Sequence, residues 1–169
     1  MDRNFLVGQL IENADRIKAL VQGVSNDVAR WKPDKNSWSI LEVINHLYDE
    51  EVEDFRVRLD IILHDPKKPW PPIDPVAWVS QRRYNMRDLD TSLKSFLDAR
   101  SASLEWLHSL ENPNWDSVYQ SPFGVMRAGD MFASWVTHDH LHMRQLVELH
   151  RLSTGEKARP YRLDYAGTW

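Results

Sequence analysis

Four segments of the chain repeat apolar residues at steps of three and four, and this period constrains the fold more than any other feature. The segments run over residues 5–24, 40–62, 89–107 and 128–152. No segment alternates between apolar and polar residues between hairpin turns, as strands do. The pattern therefore predicts an all-α protein, a four-helix bundle, and 169 residues suit one domain that spans residues 1–169.

The start of the second helix carries the clearest local signal. Ser39 is followed by Glu42 at the spacing of a capping box, and Trp38 and Val43 occupy the two positions of a hydrophobic staple. We expect this helix to stop before Pro66, because proline is tolerated only in the first turn of a helix.

Proline and glycine set the later boundaries. We expect the third helix to end near Asn112-Pro113 and the fourth at Ser153-Thr154-Gly155, since glycine often follows the end of a helix. Residues 65–75 contain five of the nine prolines, which predicts a long Pro-rich crossover or lid between helices two and three. Trp70 and Trp78 flank its end, so we expect it to pack down and to shape a substrate pocket.

The composition excludes several classes of protein. The chain has no cysteine, hence no disulfide, thiolate ligand or cysteine nucleophile. Its net charge of -4, without a basic face, argues against a nucleic-acid partner. No apolar run approaches the ~20 residues that cross a bilayer, and the first residues do not resemble a signal peptide. We therefore expect a cytoplasmic protein without a membrane partner.

The tail contains Tyr161, Tyr165 and Trp169, and it is too aromatic for us to expect a plain disordered end.

Three of the seven histidines are placed to cooperate. His138 and His142 are four residues apart, which puts them on one face of the fourth helix, at the edge of its apolar arc. Two imidazoles that point into a bundle need partners. His46, at the margin of the second helix's apolar stripe, is the natural third. The other histidines are expected at the surface or at helix ends, and they are His64, His108, His140 and His150.

Three neutral imidazoles from two helices form a donor set for one divalent metal ion and leave a position open for water or substrate. All-imidazole ligation suits zinc or nickel, with iron, manganese or copper as alternatives. Each histidine alone also has a structural interpretation, as a hydrogen-bonded imidazole in the core or at a helix boundary.

Carboxylates accompany the histidines. Asp139 falls inside the apolar arc of the fourth helix, so it either orients a ligand imidazole or makes a buried hydrogen bond to a tryptophan or a loop amide. Glu50, one turn beyond His46, is a candidate general base or further ligand. Glu50 and Asp139 are the candidate catalytic residues. Asp49 is a weaker candidate, and both Asp49 and Glu50 have the alternative of a solvated helix charge.

The run from His138 to His142 also resembles the H-E-x-x-H motif of zinc proteases, with Asp139 in place of the glutamate. Aspartate is one methylene shorter, and no further ligand follows at a suitable spacing. Both features argue against a metalloprotease.

Three segments together resemble the DinB-like superfamily of metal-binding bundles, which includes YfiT-like proteins: RWKPDKNSWSILEVINHLYDEE, SPFGVM and WVTHDHLHMRQL. The family pattern W-S-x-x-E-x-x-x-H-L is matched by Trp38, Ser39, Glu42, His46 and Leu47. The pattern H-D-x-x-H-x-x-Q is matched by His138, Asp139, His142 and Gln145. An aromatic–arginine pattern that the family has in its third helix is matched by Tyr84, Phe96 and Arg100.

The resemblance implies a DinB-like four-helix bundle that binds a divalent metal through His46, His138 and His142, and a homodimer is common in the family. Characterised members include S-transferases and isomerases that use low-molecular-weight thiols such as bacillithiol or mycothiol. A small-molecule substrate, including a thiol of this kind, is therefore implied.

Three functions remain open at this point. The first is a metal-dependent enzyme, either a thiol-dependent S-transferase or a hydrolase. The second is a non-catalytic protein that binds a metal or small ligand, such as a stress-response bundle. The third is a structural bundle whose histidines hold no ion.

Overall fold

The computed structural model describes residues 1–122 and 124–167. Its helices are α1 (Arg3–Val21), α2 (Asn26–Arg30), α3 (Ile40–Asp49), α4 (Arg56–His64), α5 (Pro75–Gln81), α6 (Leu89–Ser109) and α7 (Ala128–Lys157). A π-helical segment, Glu50–Phe55, joins α3 to α4, and short 3-10 turns cover Tyr84–Met86 and Asp164–Ala166. The four long helical units are α1, the rod from α3 to α4, α6 and α7. They pack against one another as the predicted bundle.

The capping box at the start of α3 is confirmed. The Ser39 hydroxyl accepts a hydrogen bond from the Glu42 amide at 3.1 Å, and the Glu42 carboxylate accepts one from the Ser39 amide at 2.8 Å. These bonds satisfy two amides that a helix start leaves without partners. They fix where α3 begins and thus the phase in which it presents His46.

The π-helical segment changes which side chains the rod buries. A π turn contains one residue more than an α turn, so it shifts the phase of the residues that follow. Glu50, Glu51, Asp54 and Phe55 are all buried in this segment. Three acidic side chains therefore enter the interior beside the helix that carries His46.

The core consists of two apolar clusters with a polar layer between them. One cluster includes Leu10, Leu59 and Trp135, and the other includes Ile17 and Phe96. On each of the four long helical units, buried polar residues lie between the residues of the two clusters, and one from each unit belongs to a shared hydrogen-bond network. These four residues are Asn13, Glu51, Arg100 and Asp139.

A β-hairpin precedes α7, and its strands were not expected from the sequence. Strands β1 (Val118–Ser121) and β2 (Gly124–Arg127) pair antiparallel. Each strand has four residues, and neither VYQS nor GVMR alternates strictly between apolar and polar residues, so the pattern that identifies strands is missing. Tyr119 of β1 stacks on Trp70, with ring centroids 4.4 Å apart, and its hydroxyl accepts a hydrogen bond from the Trp70 amide. The all-α prediction is therefore correct only for the bundle itself.

The segment between α4 and α6 contains a short helix as well as irregular chain. Residues 66–74 have no helix, and α5 then begins at Pro75, which occupies a first-turn position that proline tolerates. Asp74 caps α5 by accepting a hydrogen bond from the Ala77 amide at 3.0 Å. Trp78 on α5 is buried, and the Cζ atom of Arg82 lies over its ring, 3.9 Å from the ring centroid, in a cation–π contact.

The predicted stop of the last helix at Gly155 is wrong. Helix α7 continues to Lys157, and the Ala158 amide still donates to the Thr154 carbonyl at 2.9 Å. The glycine has a packing role instead. A Cβ at this position would lie 3.3 Å from a methyl group of Leu163, so the missing side chain lets the tail fold back onto α7.

Two residues named above lie outside the described part of the chain, Phe123 in the loop SPFGVM and Trp169 in the tail. Tyr161 and Tyr165 are exposed. Within residues 1–122 and 124–167, no helix combines the length and the apolar character that a membrane span requires.

Candidate metal centre

Three imidazoles converge between α3 and α7. The Nε2 atom of His138 lies 3.3 Å from that of His46 and 3.1 Å from that of His142. One ring nitrogen of each histidine lies within 4.8 Å of the other two. The structure thus brings together the three residues that the sequence named as ligands.

The spacing of these nitrogens fits a bound metal ion. Tetrahedral coordination with metal–nitrogen bonds of ~2.0–2.1 Å separates the ligand nitrogens by about 3.3 Å. The observed separations of 3.1 and 3.3 Å are close to this value. Lone pairs that face one another at such a distance repel unless a proton or a cation lies between them. The donor set therefore fits a single divalent cation.

All three imidazoles are held in their neutral form. Burial lowers the pKa of His46 to about 2, and His142 and His138 add to the effect. Burial also lowers the pKa of His138 to about 3, with contributions from His142 and Arg100. The pKa of His142 is lowered for the same main reason, burial. Neutral imidazole is the form that binds metal ions.

Gln145 fixes the tautomer of His142. Its carbonyl oxygen lies 2.8 Å from Nδ1 of His142, and because a carbonyl oxygen only accepts, the proton of this hydrogen bond sits on Nδ1. The lone pair of the ring is then on Nε2, the atom that points at the other two histidines. Gln145 was part of the motif match, but the sequence had not assigned it this role.

Aromatic rings enclose the triad. Trp38 lies 4.8 Å from the ring of His46 and stacks parallel to His142 at 6.2 Å. Phe55, from the π-helical segment, lies 5.0 Å from the ring of His138. Trp38, which the sequence predicts as part of a hydrophobic staple, therefore also borders the site.

Glu50 approaches the triad from behind His46. One carboxylate oxygen lies 3.8 Å from Nδ1 of His46, and among the described residues neither atom has a hydrogen-bond partner. Burial raises the pKa of Glu50, and the neighbouring Asp54 raises it further. The interpretation of Glu50 as a solvated helix charge is therefore wrong.

Asp49 is also buried, which corrects the expectation of a solvated charge. It accepts hydrogen bonds from the Tyr84 hydroxyl and from Arg82, whose Nη1 lies 2.7 Å away. Tyr84 lies in a 3-10 turn before α6 rather than in the third helix. Asp49 thus ties this turn to α3.

Asp139 is paired with Arg100, which answers the question that the sequence left open. The guanidinium donates to both carboxylate oxygens of Asp139, at 2.8 and 2.9 Å, and to both oxygens of Glu51, at 2.9 Å each. Asn13 donates to Asp139 at 3.3 Å, and Trp135 donates to Glu51 at 2.9 Å. Among residues 1–122 and 124–167, neither a ligand imidazole nor a tryptophan forms a hydrogen bond with Asp139. A carboxylate held in this way is also unsuited to the role of the protease glutamate.

The remaining histidines lie apart from the triad. His64, His108 and His140 are exposed. His150 is half-buried within α7 and hydrogen-bonds to the Leu20 carbonyl at 2.7 Å, so it joins α7 to α1 rather than lying at a helix end. The helical phase that separated His140 from its neighbours is confirmed.

Two cavities border the triad. The larger, of about 730 Å³, lies between α7 and the loop before α3, and His142, Trp38 and Gln145 line it. The smaller, of about 420 Å³, is lined by His138, Phe55, Thr137, Leu141, Ala133 and Ser134. Trp70 and Trp78 line neither cavity, because they pack against the hairpin and Arg82 instead. The expectation that they shape a pocket here is wrong.

The comparisons with known proteins agree with this architecture. The family profile of the DinB superfamily matches residues 9–146. YfiT from Bacillus subtilis, described as a probable metal-dependent hydrolase with an unusual four-helix bundle topology, has a similar structure with a TM-score of 0.78. The two chains are 18% identical over 88% of this chain and 86% of YfiT, so the likeness shows a shared fold. No curated protein matches the sequence. Because the profile match covers most of the chain, including all three histidines, the chain belongs to the DinB superfamily.

Proposed function

We propose that this protein is a metal-dependent enzyme that acts on a small molecule, with one divalent ion held by His46, His138 and His142. The observation that carries the proposal is the convergence of three neutral imidazole nitrogens at 3.1 and 3.3 Å. Zinc or nickel suits this donor set, with iron or manganese as alternatives. When bound, such an ion supplies Lewis-acid activation of a nucleophile, either water, as in a hydrolase, or an exogenous thiol, as in an S-transferase.

Access to the triad favours an enzyme over a structural bundle. Structural metal sites are closed by protein ligands, whereas catalytic sites keep a position open. His138 and His142 are only half-buried, and each borders a cavity. The likeness to YfiT supports hydrolysis as the first reaction to test.

Residues around the triad orient it. Gln145 keeps the lone pair of His142 on Nε2 through the 2.8 Å contact with Nδ1. We assign the same role toward His46 to Glu50, whose Oε1 atom lies 3.8 Å from Nδ1: after a shift of under about 1 Å this oxygen accepts the Nδ1 proton, either as a carboxylate or as the carbonyl oxygen of the protonated acid. Asp139 holds Arg100 and so positions α7 rather than handling a proton of the substrate.

The test combines metal analysis with an activity screen. Untagged protein is reconstituted with zinc or nickel and assayed against esters and amides, and against electrophiles with and without added thiol. We expect stoichiometric metal and turnover in one arm, retained by His140→Ala and abolished by His46→Ala. Absence of metal uptake on reconstitution contradicts the proposal. Stoichiometric metal without turnover in either arm favours the non-catalytic binding protein.

A further inference from the structure

We propose that the substrate of this centre carries an anionic group, a carboxylate or a phosphate, which Arg144 binds in the larger of the two cavities. The inference rests on the proposed metal centre and adds a substrate class to it. Arg144 is then a specificity-determining residue, two positions beyond His142 on α7.

The larger cavity is continuous with the triad because His142 is part of its lining. Trp38, which stacks parallel to His142, forms another part, and Asn36 and Ser37 contribute from the loop before α3. Its volume of about 730 Å³ lies within the range of ~300–1,000 Å³ that is typical of small-molecule sites. A molecule of that size that contacts the triad therefore also reaches other side chains of this cavity.

The charges of the cavity do not cancel. Of the residues that the structure describes, two with a charged side chain line it, Arg144 and Glu148. Both oxygens of Glu148 are bound by Arg151, at 2.6 and 2.7 Å. No carboxylate forms an ion pair with Arg144 within residues 1–122 and 124–167. Among the described residues, Glu148 therefore has an ion-pair partner and Arg144 has none, so the lining carries one positive charge that is not compensated by an ion pair.

Gln145 adds hydrogen-bond donors to the same wall. Its oxygen is engaged by Nδ1 of His142, so the polar atom that remains is the amide nitrogen, which only donates. A guanidinium and an amide NH2 on successive residues suit the oxygens of a carboxylate or phosphate.

The smaller cavity offers no comparable site. The described residues of its lining include none with a charged side chain, and Phe55, Leu141 and Ala133 make it largely apolar. An anionic group near the triad is therefore favoured in the larger cavity, and the smaller one suits an apolar group.

The test uses hydroxamates, which bind metal ions directly whether the enzyme is a hydrolase or a transferase. Each probe has an alkyl tail that ends in a carboxylate, a phosphonate or a methyl ester, in a series of tail lengths. Binding to the Co(II)-reconstituted protein is followed through the absorption of the metal. Wild type, Arg144→Gln and the control Arg162→Gln are compared. Arg162 is an exposed arginine of the tail that lines neither cavity, so its loss changes the net charge equally.

We expect an anionic tail of suitable length to bind about tenfold more tightly than its ester in wild type and in Arg162→Gln. In Arg144→Gln this advantage is lost, while the ester binds as before. Equal binding of acids and esters at every length, or an advantage that survives in Arg144→Gln, overturns the anion site and leaves the metal centre intact. Failure to take up Co(II) overturns the metal centre, and the anion site with it.

Discussion

Arg100 on α6 donates hydrogen bonds to both carboxylate oxygens of Asp139 on α7, at 2.8 and 2.9 Å. Asp139 directly follows His138 in the sequence. The same guanidinium binds Glu51, so one buried cation serves two buried carboxylates. The three formal charges leave this layer with one net negative charge beside the triad. Because Asp139 follows His138 directly on α7, this network links the packing of the bundle to its candidate metal site.

The first prediction concerns the loss of this cation. Arg100→Met leaves Glu51 and Asp139 buried and without their partner, which we expect to destabilise the metal-free protein by about 3–5 kcal/mol. Urea unfolding in the presence of a chelator measures the effect without a contribution from bound metal. The control is Lys94→Met on the same helix, an exposed residue whose loss changes stability by at most about 0.5 kcal/mol. Equal stability of the two variants contradicts the pairing.

The second prediction separates the histidines of α7. His138→Ala and His142→Ala each remove one of the converging nitrogens, so we expect both variants to lose stoichiometric metal. His140→Ala changes the exposed face of the same helix and keeps the metal. Elemental analysis of the untagged, dialysed proteins gives the result. Equal loss in all three variants means that the ion is not bound where the imidazoles converge.

The sequence could predict those features that depend on neighbouring residues. The capping box from Ser39 to Glu42 and the phase that sets His138 and His142 apart from His140 follow from helix geometry alone. His46 is the natural third ligand because the sequence places it at the margin of the apolar stripe of another helix. Each of these inferences needs only the helical spacing of apolar residues and the position of a helix boundary.

The features that the sequence could not predict depend on contacts between distant segments. Asp139 was recognised as out of place in an apolar arc, but its partner Arg100 lies 39 positions earlier. The π-helical segment that buries Glu51 cannot be recognised from the spacing of apolar residues in the sequence. Gly155 was misjudged because its role is the contact with Leu163, which forms only when the tail has folded back.

The third prediction tests how the tautomer of His142 is fixed. Gln145→Leu removes the acceptor from Nδ1, and we expect metal affinity to fall by about 10–100-fold, as for other outer partners of ligand histidines. Gln145→Glu keeps an acceptor oxygen and retains most of the affinity. Competition with a chromophoric chelator measures both values. Unchanged affinity in Gln145→Leu shows that the hydrogen bond does not support the site.

The fourth prediction concerns the start of the helix that carries His46. Ser39→Ala removes the side chain that accepts from the Glu42 amide and donates to Asn85, which we expect to cost about 1–2 kcal/mol of stability. Ser101→Ala, an exposed serine within α6, is the matched control and changes stability little. Urea midpoints compare the two, and a similar small shift for both means that the cap is dispensable.

The last prediction addresses two glycines inside helices. Alanine restricts the unfolded chain more than glycine, so a substitution that fits the helix stabilises by about 0.5–1 kcal/mol. A Cβ at Gly8 in α1 meets no atom within 4 Å, so Gly8→Ala is expected to show this gain. At Gly155 the added Cβ would lie 3.3 Å from Leu163, which has to move, so the gain in stability is smaller or absent.

The double variant Gly155→Ala/Leu163→Ala removes that neighbour, and the helical preference of alanine then raises the unfolding midpoint above that of Leu163→Ala alone. A lower midpoint in the double variant indicates that the helix ends at Gly155, as the sequence predicted, and contradicts a helix that continues to Lys157.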